Sequence, residues 1–204
     1  MQRDETLLLL GLGLLWFYNG GNFQKKSTMN WTDEEMFIFN NCVKRTGVPT
    51  EAALAVYTGE SGLNPKASSG AAFGIAQITA ATLRDIGWSS PAKDFLQLGV
   101  ADQAPWIEKL LNYQAKAVGF TPTNALDLYV TNLSPAAAKA HRDVIYSASV
   151  PSEVAAYEGN KGLDKAKKGY IDRADLALYL DRILYGETYK QAVDQLNRIR
   201  GLTR

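Results

Sequence analysis

The feature that most constrains the fold of this chain is an apolar helix that ends in one acid. Thr50 is typical of a helix start and is the expected N-cap, and residues 52–56 follow it as the run AALAV. This segment has almost no polar face, so we expect the helix to be buried. Glu60 lies near its end, on the same helical stripe as Val56. A carboxylate placed there is costly unless it is protonated or paired.

Burial of Glu60 would suit the chemistry of a general acid. Desolvation favours the neutral carboxyl and can raise its pKa by up to ~3–5 units when burial is complete. A glutamate with a raised pKa holds a proton near neutral pH and can donate it to a leaving oxygen. The alternative is a helix-end acid in a surface ion pair. Spacing alone leaves both interpretations open.

Residues 60–78, ESGLNPKASSGAAFGIAQI, resemble the signature of the soluble lytic transglycosylase (SLT) family. That signature is Glu-Ser, an aromatic or apolar residue, Asn-Pro, a Ser, and then Gly-Ala…Gly-Leu-Met-Gln-Ile. Here the Gly-rich segment is one residue shorter, and Ala76 replaces the family's Met. The resemblance implies a mainly α, lysozyme-like domain of the SLT or goose type that cleaves peptidoglycan. It also implies Glu60 as the catalytic acid, with Ser69 and Gln77 holding the sugar.

A tyrosine is a further candidate for the site. In the SLT family a tyrosine ends a later helix close to the catalytic acid. Tyr129 lies late in the predicted helix 124–133, so the resemblance makes it a candidate substrate-binding residue. Because the family's Ala-Tyr-Asn is not intact here, an ordinary core aromatic is an equally open interpretation of Tyr129.

Composition excludes several classes of function. The chain has 204 residues, enough for one sizeable core. Its net charge of +1 argues against nucleic acid as the main partner. Cys42 is the single cysteine and His141 the single histidine, so neither an internal disulfide nor a Cys/His zinc site is expected. A Ser-His-Asp mechanism would require His141, which lies in a charged stretch. We therefore predict no metal and no cofactor.

The N-terminus differs from the rest of the chain. Residues 7–18, LLLLGLGLLWFY, carry no charge. As a helix they would span ~18 Å, against ~30 Å of hydrocarbon in a bilayer. A signal peptide, a soluble helix and a membrane anchor are the alternatives, and the missing Ala-x-Ala site disfavours the first. We expect residues 1–27 to form a hydrophobic helical anchor and linker, with a membrane as partner, and residues 28–204 the lysozyme-like domain.

A second motif lies near the C-terminus. Residues 164–175, DKAKKGYIDRAD, have the length and skeleton of an EF-hand calcium loop, with Gly169 at its sixth position. Ala166 and Lys168 occupy the third and fifth positions, where oxygen ligands are needed, and Asp175 replaces the bidentate Glu. The loop is therefore expected to be degenerate: it keeps the turn and binds calcium weakly or not at all.

A further resemblance covers the region around this loop. Residues 157–176 resemble the segment that follows the lysozyme-like core in several phage virion transglycosylase-like proteins, and the similarity runs patchily over about residues 49–180. It implies a phage or prophage enzyme for local breaching of the cell wall, with peptidoglycan and other virion proteins as partners. Its expected location is membrane-anchored, virion-associated or facing the bacterial periplasm.

The mechanism that the SLT resemblance implies is a single-acid cleavage between N-acetylmuramic acid and N-acetylglucosamine. Glu60 would act alone, and the product would be a 1,6-anhydro sugar. A goose-type hydrolytic muramidase is one alternative, and a catalytically silent virion structural or membrane protein is the other. Most glycosidases use two carboxylates. The acids that stay open as a second carboxylate are Glu51, Asp85, Asp94, Asp127, Asp143 and Glu158.

Overall fold

The structure is a computed structural model, and it describes residues 29–202. Over these residues the chain is mainly helical, as predicted. The α-helices are α1 (Asp33–Lys44), α2 (Thr50–Ser61), α3 (Ala80–Asp85), α4 (Val100–Val118), α5 (Ala125–Leu133), α6 (Pro135–Lys139), α7 (Val154–Asn160), α8 (Arg173–Leu184) and α9 (Glu187–Leu202). A short 3-10 helix spans Ala92–Gln97. The predicted anchor and linker, residues 1–27, lie outside the described residues. Between residues 29 and 202, none of the helices combines the length and the hydropathy needed to cross a membrane.

Two short antiparallel ribbons complete the fold. Strand β1 (Ala72–Phe73) pairs with β2 (Ile78–Thr79), and β3 (Val144–Ser147) pairs with β4 (Tyr170–Asp172). The sequence predicted a mainly α domain, and no strand was identified in it. Strands of two to four residues are too short to show an alternating pattern, so the ribbons could not be seen as a period in the sequence.

Helix α2 is the centre of the core, which confirms its predicted burial. It contacts α1, α5, α8 and α9, and Leu54 and Ala55 have no exposed surface. Burial of a side chain such as Leu54 contributes ~1.5–3 kcal/mol to folding. The predicted N-cap is wrong, because the helix begins at Thr50 after Pro49. The Thr50 hydroxyl instead donates a buried hydrogen bond of 2.9 Å to Asn40 Oδ1 on α1.

The Gly-rich loop between α2 and α3 is fastened by two side chains. Gln103 on α4 is fully buried; its Oε1 accepts a hydrogen bond from the Ile75 backbone N–H (2.9 Å), and its Nε2 donates to the Pro65 carbonyl (2.7 Å). The Ser61 hydroxyl at the end of α2 donates to the Ile75 carbonyl (2.7 Å). These bonds hold the β1–β2 ribbon against the end of α2, where Glu60 lies.

The EF-hand-like loop keeps its turn and carries its own positive charge. Asp164 accepts hydrogen bonds from the backbone N–H groups of Lys168 (2.9 Å) and Gly169 (2.8 Å). The Lys168 ammonium lies 2.7 Å from Asp172 Oδ2 and 2.8 Å from Asp175 Oδ2. Within residues 29–202 no three His, Cys, Asp or Glu side chains are grouped so as to hold a metal. A lysine thus neutralises carboxylates that, in an intact EF-hand, would face calcium.

Calcium is therefore expected to leave the protein unchanged. We predict that thermal unfolding midpoints in millimolar calcium and in excess EDTA agree within error, because Lys168 already compensates Asp172 and Asp175. Differential scanning calorimetry of the full chain measures this. As a matched control, the double variant Ala166→Asn, Lys168→Asp supplies the missing oxygens and should gain a calcium-dependent midpoint. A calcium-dependent rise for the wild-type chain would contradict the prediction.

Candidate active site

An open cleft lies at the C-terminal end of α2. Glu60 forms part of its lining. One wall comes from the β1–β2 ribbon and α3, and the other from α4, α5 and the start of α6. The remaining lining residues are Ala76, Gln77, Ile78, Thr79, Thr82, Leu110, Gln114, Asn132, Leu133 and Pro135. The cleft is thus a groove between the Gly-rich loop and the helices that follow it.

Glu60 is nearly enclosed, and its side chain is 9% exposed. Among residues 29–202, its carboxylate has no ion-pair partner and no hydrogen bond of normal geometry. Burial raises the pKa of Glu60 to about 8. The alternative of a surface ion pair is therefore wrong. Glu60 holds a proton at neutral pH and presents it at a cleft, which is the arrangement that a general acid needs.

Three tyrosines lie around this acid. Tyr57 and Tyr129 are at most 1% exposed, and the Tyr129 ring stacks on that of Tyr179 with 5.4 Å between centroids. Burial is the main cause that raises the pKa of each phenol, and for Tyr129 the neighbouring Tyr179 is the next cause. The charge of Glu60 also raises the pKa of all three, which places them near the carboxyl. Tyr129 thus lies close to Glu60, as the resemblance implied. It does not form part of the cleft lining, so its contact with substrate stays a prediction.

Of the two other predicted sugar-binding residues, one lines the cleft and the other does not. Gln77 lines the cleft, and its amide nitrogen donates to the carbonyls of Ala67 (3.2 Å) and Gly74 (2.9 Å). Ser69 lies on the loop and outside the lining, where its hydroxyl accepts a hydrogen bond from the Ala72 backbone N–H (2.9 Å). Gln77 and Glu60 are therefore brought together, whereas Ser69 shapes the loop and its contact with sugar stays a prediction.

An amide pair in the cleft was not predicted from the sequence. Gln114 on α4 donates from Nε2 to Asn132 Oδ1 on α5 (2.7 Å), and both residues line the cleft. The buried Oε1 of Gln114 accepts no hydrogen bond within the described part of the chain. Amides suit the hydroxyl and N-acetyl groups of a glycan. No local signal marks these residues, because they come together only when α4 packs near α5.

The other acids considered from the sequence do not line the cleft. Most of them contact other side chains: Glu51 with Arg200, Asp127 with Arg173, Glu158 with Lys161, and Asp85 with the Tyr113 hydroxyl. Among the described residues of the lining, Glu60 is the one carboxylate. The arrangement therefore provides one proton donor and acceptor, with hydroxyl and amide groups around it.

Comparison with known proteins shows a similarity over part of the chain. The family model of the transglycosylase SLT domain matches residues 37–96, which run from α1 to the 3-10 helix and include Glu60 and Gln77. Neither the curated proteins nor the solved structures gave a match to the chain. The residues that match are those that build the end of α2 and one wall of the cleft. This segment of the chain is therefore similar to a transglycosylase SLT domain.

Proposed function

We propose that this protein is a lytic transglycosylase that cleaves the bond between N-acetylmuramic acid and N-acetylglucosamine with Glu60 as its single acid and base. The observation that carries the proposal is the position of Glu60: nearly buried, with a pKa of about 8, at a cleft in a segment that matches the SLT domain. An intact acid of this kind argues against a catalytically silent protein on the same fold.

The proposed reaction uses Glu60 twice. The protonated carboxyl gives its proton to the glycosidic oxygen, and the bond from that oxygen to C1 of the muramic sugar breaks. The resulting carboxylate then takes the proton of the C6 hydroxyl of the same sugar, and O6 forms a bond to C1. Glu60 ends as it began, no water is consumed, and the product is a 1,6-anhydro sugar. In this proposal the glycan is held by Gln77 and by the Gln114–Asn132 amide pair, all of which line the cleft.

A hydrolytic muramidase is the second candidate. Inverting hydrolysis needs a second carboxyl ~6.5–9.5 Å from the acid, and retention needs a nucleophile ~5 Å away. The single carboxylate in the described lining favours the transglycosylase. Mass analysis of the fragments released from purified sacculi decides between them. Anhydro ends, lighter by one water than reducing ends, support the proposal. Reducing ends would indicate the muramidase, and the absence of fragments a silent protein.

The pH dependence of cleavage follows from the state of the acid. Glu60 must carry a proton to act, and its pKa lies at about 8 because of burial. We therefore expect activity on sacculi to be constant from about pH 6 to 7 and to fall tenfold per pH unit well above the pKa. Initial rates at fixed ionic strength measure this. A fall already centred near pH 4–5, the ordinary range of Glu, would contradict a buried acid.

The cellular setting is part of the proposal and rests on sequence. We propose that residues 1–27 anchor the domain to a membrane, and that the enzyme is of the phage virion type. Residues 7–18 are uncharged and apolar, which favours partition into lipid. In a flotation gradient with anionic vesicles, the full chain is expected to rise with the lipid and a chain lacking residues 1–27 to stay below while keeping its activity. A full chain that stays below would contradict the anchor.

A further inference from the structure

The C-terminal part of the chain contributes a residue to the surroundings of Glu60. Helix α8 lies well beyond the segment that matches the SLT domain, and it packs against α2. The Tyr179 hydroxyl on α8 donates to the carbonyl of Gly59 (3.3 Å), the residue before Glu60. A Cβ on Gly59 would lie 3.1 Å from the Tyr179 Oη and 3.3 Å from its Cε1. A glycine at this position thus lets the ring approach the helix backbone.

The ring of Tyr179 also has a partner on a third helix. It lies nearly parallel to the ring of Tyr129 on α5, at 20° and with 5.4 Å between centroids, a stacked geometry that aromatic pairs favour. Tyr179 is therefore held from two sides, by the backbone of α2 and by the face of Tyr129. Neither tyrosine lines the cleft, so the pair covers Glu60 on the side that faces away from the cleft.

We infer that Tyr179 is a positioning residue, whose ring, seated on Tyr129 and Gly59, excludes water from the Glu60 carboxyl and fixes the end of α2 that carries it. The inference rests on the proposed function and deepens it. It makes α8, outside the SLT match, a required part of the site. A domain cut after the matched segment would lack this cover.

The groups that face Glu60 indicate that Tyr179 acts on the carboxyl by excluding water from it. Its own helix contributes Tyr57, α5 contributes Tyr129 and α8 contributes Tyr179. All three are neutral at physiological pH, because burial above all raises their pKa values. The described ion pair between α9 and α2 is that of Arg200 with Glu51, nine residues before Glu60. From α1, Phe39 packs edge-on against Tyr57, and Asn40 accepts the neutral hydrogen bond of Thr50. The raised pKa of Glu60 comes from burial alone, so removal of a covering ring should lower it.

Two variants of the full chain test the inference. Tyr179→Phe keeps the ring and its stacking, so we expect wild-type rates and an unchanged alkaline limb of the pH profile. Tyr179→Ala removes the ring and admits water. We expect Tyr179→Ala to lower the rate of cleavage of sacculi about tenfold or more, since a displaced acid reacts poorly. The alkaline fall of its rate should be centred about one pH unit lower than in the wild type. Tyr185 directly follows the same helix and is 78% exposed. Tyr185→Ala is therefore the matched control, and it should leave the rate and the pH profile unchanged.

A purely structural role would give a different result. It predicts a lower unfolding midpoint for Tyr179→Ala, with an unshifted alkaline limb in the folded protein at temperatures below that midpoint. That outcome overturns the inference. The inference is also overturned if the alkaline limb of the pH profile moves as far in Tyr179→Phe as it does in Tyr179→Ala. If Tyr179→Ala does not fold, Tyr179→Leu keeps apolar volume but leaves a gap beside Tyr129, and its limb should move in the same direction. An unmoved limb there also overturns the inference.

Failure of the proposed function is recognisable separately. In that case the wild-type chain itself releases no anhydro fragments from sacculi. Failure of the inference about Tyr179 leaves wild-type cleavage intact and changes only the comparison between the variants.

Discussion

Replacement of Glu60 by glutamine is expected to lower cleavage of sacculi by at least ~10²–10⁴-fold, the usual cost of losing a general acid. The substitution removes the proton donor at nearly constant volume, and no other carboxylate of the described residues lines the cleft to replace it. Release of soluble muropeptides measures the rate. Glu51→Gln, at the other end of the same helix and outside the cleft, is the matched control and should keep wild-type activity. A Glu60→Gln chain that retains more than about a tenth of the activity would contradict the assignment.

The same variant should fold at least as stably as the wild type at neutral pH. The pKa of Glu60 is about 8 in the folded chain and near 4.5 in the unfolded chain. Folding at pH 7 therefore requires the uptake of a proton, at a cost on the order of 3 kcal/mol. The stability that the neutral carboxyl provides is fully present below pH 4.5 and decreases as pH rises towards 8. We thus expect the unfolding midpoint of Glu60→Gln to exceed that of the wild type at pH 7 and to approach it at pH 4.5.

The parts of the site that could be predicted from the sequence are those fixed by neighbours along the chain. The burial of α2 follows from a run of small apolar residues, and the position of Glu60 on its stripe follows from the helical period. Gly62 ends this helix with a φ of 64°, a conformation that glycine adopts readily. The turn of residues 164–175 follows in the same way from Gly169, whose φ is 81°. In each of these, a few adjacent residues determine the outcome.

The rest of the site depends on packing between distant segments. Gln114 and Asn132 are 18 positions apart and meet only because α4 and α5 lie side by side. Tyr179 reaches Gly59 across 120 positions, and no local pattern distinguishes it from other helical tyrosines. Ser69 shows the opposite difficulty: its motif was visible, but the loop turns its hydroxyl towards the backbone of Ala72. Side-chain direction in a glycine-rich loop is set by backbone angles that a motif does not specify.

The Gly-rich loop can be tested at Gly74, where the largest loss of stability is expected. Gly74 has a φ of 76°, which is unfavourable for any residue with a Cβ. A Cβ there would overlap Gln103 Oε1 and lie 2.8 Å from Phe95 Cε1. Gln103 cannot give way at low cost, because its buried amide binds the backbone of Ile75 and Pro65. Backbone strain of ~1–2 kcal/mol and overpacking of ~1–3 kcal/mol together predict that Gly74→Ala loses about 3 kcal/mol or more.

Gly70→Ala separates the two contributions. Gly70 has a φ of 84° in the same loop, and an added Cβ would meet nothing within 4 Å, so this variant should lose only the backbone strain of ~1–2 kcal/mol. For a domain of this size, each kcal/mol shifts the unfolding midpoint by ~2–4 °C. We expect a fall of about 6 °C or more for Gly74→Ala and roughly half of that or less for Gly70→Ala. Gly74→Ala should also lose activity, since Gln77 binds the Gly74 carbonyl beside Glu60. Equal midpoints for the two variants would mean that Gln103 does not hold the loop against the acid in the way that its hydrogen bonds indicate.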